Sequence, residues 1–388
     1  MTQVEIQGSC DPRFAGVRAA FAENFEKRNE YGAAVAVVID GKPVVDLWGG
    51  HADKARTQPW TRDTIVNVFS TTKGLTAICA HRLADQGKLD FDAPVARYWP
   101  EFAAKGKDKI PVRWLLSHRA GLPAPHQQLK DTDAYDWNVM TSTLAADEPW
   151  WEPGTKHGYH AITFGWLVGE VIRRITGKSV GSYFRDEIAR PLGIDCHIGL
   201  AASEDSRCGQ MIASPPPPPD QVNIFEYAEK NPESVTARTF MNPPTAMKLG
   251  AVNSREWRGA EIPAANGHTT GRALARLYGA LARGGEVDGV RVMGAAQIAR
   301  CHSEESSGRD EVLMVPTRFS TGFMLTQPHD KWGPNAHPFG HPGAGGSLGY
   351  ADPDAKIGFG YTMNKMGPYI LIDPRARALI EAVYASPL

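Results

Sequence analysis

Thr64-Ile65-Val66-Asn67-Val68-Phe69-Ser70-Thr71-Thr72-Lys73 is the stretch on which the fold turns. Its first six residues are β-type, and Gly74 to Gln86 beyond it carry helical spacing. A predicted strand and loop therefore give way to a helix at Ser70. A serine at a helix start and a lysine three residues later share one face, one turn apart. The first-turn N–H groups have no partner inside the helix, and the dipole there favours negative charge. At such a place a hydroxyl can lose its proton and attack a carbonyl. The lysine takes the proton if its surroundings lower its pKa from the usual value of about 10.4. Ser-x-x-Lys thus points to a serine hydrolase or acyltransferase with lysine as base. Short patterns recur by chance, so the rest of the chain must supply partners.

Outward from this stretch, the two chain ends share a strand-and-helix character. Asp11-Pro12 reads as a cap and first-turn proline, and Phe14, Val17, Phe21 and Phe25 follow at helical spacing. Ala33 to Ile39 and Pro43 to Trp48 form a predicted hairpin around Asp40-Gly41. Gly343 to Ala351 and Lys356 to Met363 read as a second hairpin, and Asp373-Pro374 starts a last helix. The middle carries helical patterns at Phe164 to Ile175, stopped by Gly177, and at Leu274 to Leu281, stopped by Gly284-Gly285. Pro215 to Pro219 reads as an extended loop. The expected class is α+β. Residues 1–74 and 285–388 build an antiparallel sheet flanked by helices, and 75–284 form a mostly helical insertion. A cleft between the parts is the expected ligand site.

Composition narrows the function. Lys+Arg 42 against Asp+Glu 43 leaves a net charge of −1, so no basic surplus points to nucleic acid. The chain starts without the basic and apolar pattern of a leader, and no run approaches a spanning length of about 20 residues. Five scattered cysteines form no C-x-x-C pair. The expected setting is cytoplasmic, with neither metal nor organic cofactor and a small-molecule partner.

Two further motifs fit Ser70. Trp151 to Tyr159 is a turn-rich loop ending in an aromatic, and a tyrosine there can relay a proton. Near two cations its phenol would ionise more easily than usual. Phe339-Gly340-His341-Pro342-Gly343-Ala344-Gly345-Gly346-Ser347 is glycine-rich, so its backbone can approach a ligand closely and offer an N–H to an oxyanion. With Leu115 to Pro123 and Ala273-Leu274-Ala275-Arg276 as further landmarks, the chain resembles the serine β-lactamase and penicillin-binding protein superfamily. The likeness is strongest to the β-lactamase-like esterases (family VIII carboxylesterases) and the class C β-lactamases. The resemblance implies a β-lactamase/transpeptidase-like fold. It implies Ser70 as the acylated residue, Lys73 as its base and Tyr159 as a shared acid and base. The N–H groups of Ser70 and Ala344 would form the oxyanion hole, and His341 and Gly343 would bind substrate at the Lys-Thr-Gly position of the lactamases.

Two departures favour an ester substrate. His160 and Ala161 follow Tyr159, where lactamases carry Tyr-x-Asn, so an amide is missing. His341 replaces a lysine and is a weaker anchor for a carboxylate. Pro342 also lacks an N–H. A carboxylesterase is the expected activity. A β-lactamase or peptidase, an acyltransferase using the same acyl-enzyme, and a binding protein of this fold are the alternatives. Gly345-Gly346-Ser347-Leu348-Gly349 matches G-x-S-x-G, but a turn rather than a helix follows, so Ser347 reads as structural. Gly177-Lys178-Ser179 lacks the leading glycine of a phosphate loop. His81 and His118 read as packing or capping residues, and Trp48, Trp99, Trp114 and Trp166 as core. The 205–262 stretch, with Trp257, is a candidate pocket wall.

Overall fold

The computed structural model describes residues 4–219 and 223–388. Residues 1–3, read above for a leader, and 220–222, within the candidate pocket wall, lie outside the described residues.

Both chain ends build one nine-stranded antiparallel sheet. In spatial order its strands are Gln7–Cys10, Lys42–Gly50, Gly32–Ile39, Ile357–Met363, Leu348–Asp352, Phe339–Pro342, Met324–Leu325, Pro316–Phe319 and Ser306–Arg309. Ile357–Met363 pairs with Gly32–Ile39 over seven positions, which joins the two ends. The first hairpin turns where the sequence places it, with Asp40 at φ +46° and Gly41 at φ +80°. Positive φ at both central residues matches the right-handed twist of the strands. The second hairpin differs from expectation. Gly345 and Gly346 stand at φ +88° and +125°, outside strand geometry. Gly343–Ser347 is therefore a turn between two strands, and the strand begins only at Leu348. The strands between 306 and 342 are two to four residues long and leave no alternation to read.

Helices Ala15–Lys27 and Pro374–Tyr384 pack together and bury Val17, Phe21, Leu379, Ile380 and Val383. Helix Gly271–Ala282 lies on the strands that join the chain ends. There a Cβ on Gly358 would stand 2.1 Å from Gly279 N, and one on Gly360 2.1 Å from Gly271 O. Glycine is needed for that approach of helix to sheet. The other expected helices are Thr71–Asp85 and Thr163–Thr176, the latter ended by Gly177 at φ +68°. Thr71–Asp85 is buried on nearly every side, against helix Thr163–Thr176 and strand Phe339–Pro342. It is a central helix rather than an amphipathic surface one. Of the β-type stretch before it, only Val66–Asn67 is strand, paired with Gly267–Thr269. Trp99 and Trp166 are buried as expected. Trp48 and Trp114 are half-buried beneath Arg272 and Arg119. Among the described residues no helix is long and apolar enough to cross a membrane.

Candidate active site

The chain turns sharply from strand Val66–Asn67 into the central helix. Phe69 stands at φ +42°, uncommon for a bulky residue, and Ser70 follows at φ −67°. The N–H of Thr71 and the hydroxyl of Ser347 both donate to Val68 O, at 3.1 and 2.9 Å, and hold the turn. Ser70 is half-buried. One helical turn on, Lys73 is wholly buried. Its Nζ lies 3.2 Å from Ser70 Oγ and donates to Ala161 O at 2.6 Å and Ala264 O at 3.1 Å. The rings of Tyr159 and Phe164 close over it, 4.6 and 5.8 Å from Nζ. Among the described residues no carboxylate pairs with it. Burial without a counter-charge holds its pKa well below the ordinary lysine range. A neutral amine has two N–H groups and one lone pair. In that form the two carbonyls would take the N–H groups, and the lone pair would be left for Ser70 Oγ.

Tyr159 is brought to the same place but is not the easily ionised phenol expected from the sequence. Burial pushes its pKa up, against the opposite pull of the Ser70 hydroxyl. Neither neighbour supplies the charge that expectation needed. Lys73 is desolvated, and burial followed by the nearness of Lys73 pushes His341 down to about 3. With so low a pKa the ring is neutral at ordinary pH; its Nδ1–H donates to Pro342 O at 2.7 Å and it lies 6.0 Å from the Tyr159 ring. It is thus no cation for a carboxylate, weak or otherwise. The missing N–H of Pro342 costs no ladder bond, because strand Met324–Leu325 registers only with Gly340 and Phe339.

Gly343 is buried, and a Cβ there would fall 2.2 Å from both Ser347 Oγ and Val68 O. The bare backbone lets the strand end press against the nucleophile turn. Ala344, next in the chain, is exposed, and neither its N–H nor that of Ser70 is taken by a backbone carbonyl among the described residues. Ser347 is 1% exposed and shares its hydroxyl between Val68 O and Thr71 Oγ1, so it braces the turn.

Other candidates separate cleanly. His81 is a core residue between Gln297 and Thr321 O. Gly177-Lys178-Ser179 is a helix end and a cap. Trp257 is no pocket wall. It is fully buried and its indole N–H donates to Asn67 Oδ1 at 2.9 Å, behind the nucleophile strand. His118 both packs and caps, as expected: its ring lies 4.9 Å from Tyr159 and its Nδ1 accepts the N–H of His160 at 3.1 Å. Ala161, Ala264 and Asp310 carried no signal of their own. The first two act through backbone carbonyls, which every residue has. Asp310 accepts the N–H of Tyr159 at 3.0 Å across 151 residues of sequence.

Comparison with known proteins identifies the family and the fold. A family model described as Beta-lactamase matches residues 17–382. A crystal structure of a family VIII carboxylesterase superposes with a TM-score of 0.90 at 45% identity, covering 98% of this chain and 99% of that one. A penicillin-binding protein homologue from Caulobacter crescentus superposes with a TM-score of 0.91 at 41% identity, covering 99% and 100%. The esterase/beta-lactamase LipL of Mycobacterium tuberculosis is 40% identical over 375 residues, 95% of this chain and 85% of LipL. With residues 17–382 matched by the family model and 98–99% of the chain matched in architecture, this chain belongs to the Beta-lactamase family and has the fold of the serine β-lactamases and penicillin-binding proteins.

Proposed function

We propose that this serine hydrolase cleaves carboxylic esters, short acyl esters among them, through an acyl-enzyme on Ser70. The observation that carries the reading is the buried, carbonyl-held amine of Lys73 facing Ser70 Oγ. The Lys73 lone pair takes the Oγ proton as Oγ bonds to the ester carbonyl. The N–H groups of Ser70 and Ala344 receive the oxyanion. As the ester C–O bond breaks, the Lys73 proton passes through the Tyr159 phenol to the leaving alcohol. Water then attacks the acyl-serine by the same route, and the acid leaves with Ser70 restored. A protonated tyrosine beside a neutral lysine divides the labour: the lysine begins as base, and the phenol relays. His341 and Gly343 would lie on the substrate side of this centre. The neutral His341, and the missing amide after Tyr159, favour an uncharged ester over a carboxylate-bearing lactam. The name of one neighbour, a family VIII carboxylesterase, supports the same substrate class, and LipL is named for both esterase and β-lactamase activity.

Intact-mass analysis after brief exposure to a fluorophosphonate, with peptide mapping, tests the nucleophile. An adduct on Ser70, and turnover lost in Ser70→Ala, are the expected results. An adduct on Ser347, or none on folded protein, overturns the assignment. Comparing a p-nitrophenyl ester with nitrocefin tests the substrate class, and comparable rates would favour a β-lactamase instead.

A further inference from the structure

The segment carrying Tyr159 is held in an unusual way. The N–H groups of Gly158, Tyr159 and His160 donate in turn to His118 O at 3.1 Å, Asp310 Oδ1 at 3.0 Å and His118 Nδ1 at 3.1 Å. Two of the three acceptors are buried side chains rather than a neighbouring strand. His118 is 1% exposed and Asp310 is wholly buried. His118 stands at φ +62°, a left-handed backbone that a non-glycine residue adopts at a cost. That conformation turns the ring under Tyr159 and sets it edge-on to Phe319, with centroids 4.5 Å apart. Asp310 is equally committed. The same Oδ1 accepts the N–H of Val312 and Leu313 at 2.8 and 2.9 Å, and Oδ2 accepts the Thr317 hydroxyl at 3.2 Å. Each residue therefore fastens the tyrosine segment to a different part of the chain. His118 ties it to the loop after helix Val112–Leu116, and Asp310 ties it to the hairpin of strands Ser306–Arg309 and Pro316–Phe319.

We infer that His118 and Asp310 are positioning residues, a two-sided clamp that holds the phenol of Tyr159 at Ser70 and Lys73. The inference rests on the role given to Tyr159 above. The clamp fixes the peptide planes on both sides of Tyr159, so little freedom remains for the ring except rotation about its own bonds. Burial keeps His118 uncharged, which preserves the Nδ1 lone pair that His160 N–H needs. Neither residue touches the reacting atoms. Their effect must therefore pass through the phenol, and that can be measured.

The test is a mutant cycle with a p-nitrophenyl ester, reading kcat, KM and the melting temperature. His118→Phe keeps a ring in the cluster and removes the acceptor. It should lower kcat about 10²-fold, the scale expected for a misplaced catalytic group, with KM little changed. His118→Asn offers a carbonyl acceptor and tolerates the left-handed backbone, so it should recover most of kcat. In a Tyr159→Phe background, His118→Phe should cost less than about threefold, because residues acting as one unit are not additive. Should His118→Phe fail to fold, Asp310→Leu, which removes the acceptor of the Tyr159 N–H at similar side-chain size, carries the same cycle. Parental kcat in folded His118→Phe, or an equal loss with and without the phenol, overturns the clamp. Parental kcat in Tyr159→Phe alone overturns the role of Tyr159, and the clamp with it.

Discussion

Lys73 and Arg375 are both buried basic side chains, and the protein treats them in opposite ways. Arg375 is 4% exposed and saturated with partners. It donates to Glu30 at 3.0 Å, to both Asp373 oxygens at 2.8 Å, and to the carbonyls of Gly345 and Lys365. Burial works against its charge, but Glu30, Tyr361 and Asp373 prevail and hold its pKa above the ordinary range. It stays charged and ties the chain before strand Gly32–Ile39, the cap of the last helix and the glycine turn beyond Ala344 into one body. Lys73 has the same desolvation and no carboxylate, so its proton is only loosely held. A buried cation given counter-charges becomes scaffold. A buried amine given only carbonyls becomes a base.

The largest effect expected from this contrast is on rate. Lys73→Met should cost about 10³-fold in kcat/KM for an ester, within the range of a lost general base, with the fold retained. A folded Lys73→Met with parental kcat/KM would break the comparison on the catalytic side. Arg375→Met should instead cost about 3–5 kcal/mol of stability in urea unfolding, because Glu30 and Asp373 are left buried without their partner. A mutant as stable as the parent would break the scaffold side.

The pH dependence sharpens the contrast further. Below about pH 10.4 the unfolded chain protonates Lys73, whereas the folded chain resists until its lowered pKa is reached. The unfolded state then binds more protons, so the parent loses stability as pH falls, by at most about 1.4 kcal/mol per unit. Lys73→Met has no such group. Its melting temperature should therefore gain on the parent's as pH falls from 10 to 8, while the parent's kcat/KM falls only at the lower pH where the folded-state lysine itself takes a proton. A gap that does not move with pH means a charged lysine in the folded state. The smallest effect falls on the brace. Ser347→Ala should cost about 1 kcal/mol, the usual worth of a hydrogen bond, and leave turnover within a few-fold. Loss of all turnover in folded Ser347→Ala would return that serine to candidacy as nucleophile.

Much of this was legible in the residues. Asp40-Gly41 announced its hairpin because few residues accept two positive φ angles in succession. Gly177 announced a helix end for the same reason. Ser70 and Lys73 were legible because three residues of helix place two side chains on one face. The turn at Gly343–Ser347 was half read: its glycines were noticed, but a strand was expected where they prevent one. Trp257 looked like a pocket residue because an aromatic in an irregular stretch reads alike from either side of a wall. His118 was read as packing or capping and does both, but nothing local to it shows that Tyr159 lies across its ring.

The sequence by itself determined whatever depends on neighbours a few positions away: the helix after Ser70, the paired hairpins, the caps, and the order of motifs that revealed the family. Only the tertiary structure decided that the pKa of Lys73 falls below the lysine range, that of Tyr159 rises above the phenol range and that of His341 drops to about 3. Those follow from distance to water and to other groups through space. The carbonyls that hold Lys73 come from residues 88 and 191 positions away, and a backbone oxygen leaves no mark in a sequence. A side-chain pKa is a property of the surroundings that folding assembles.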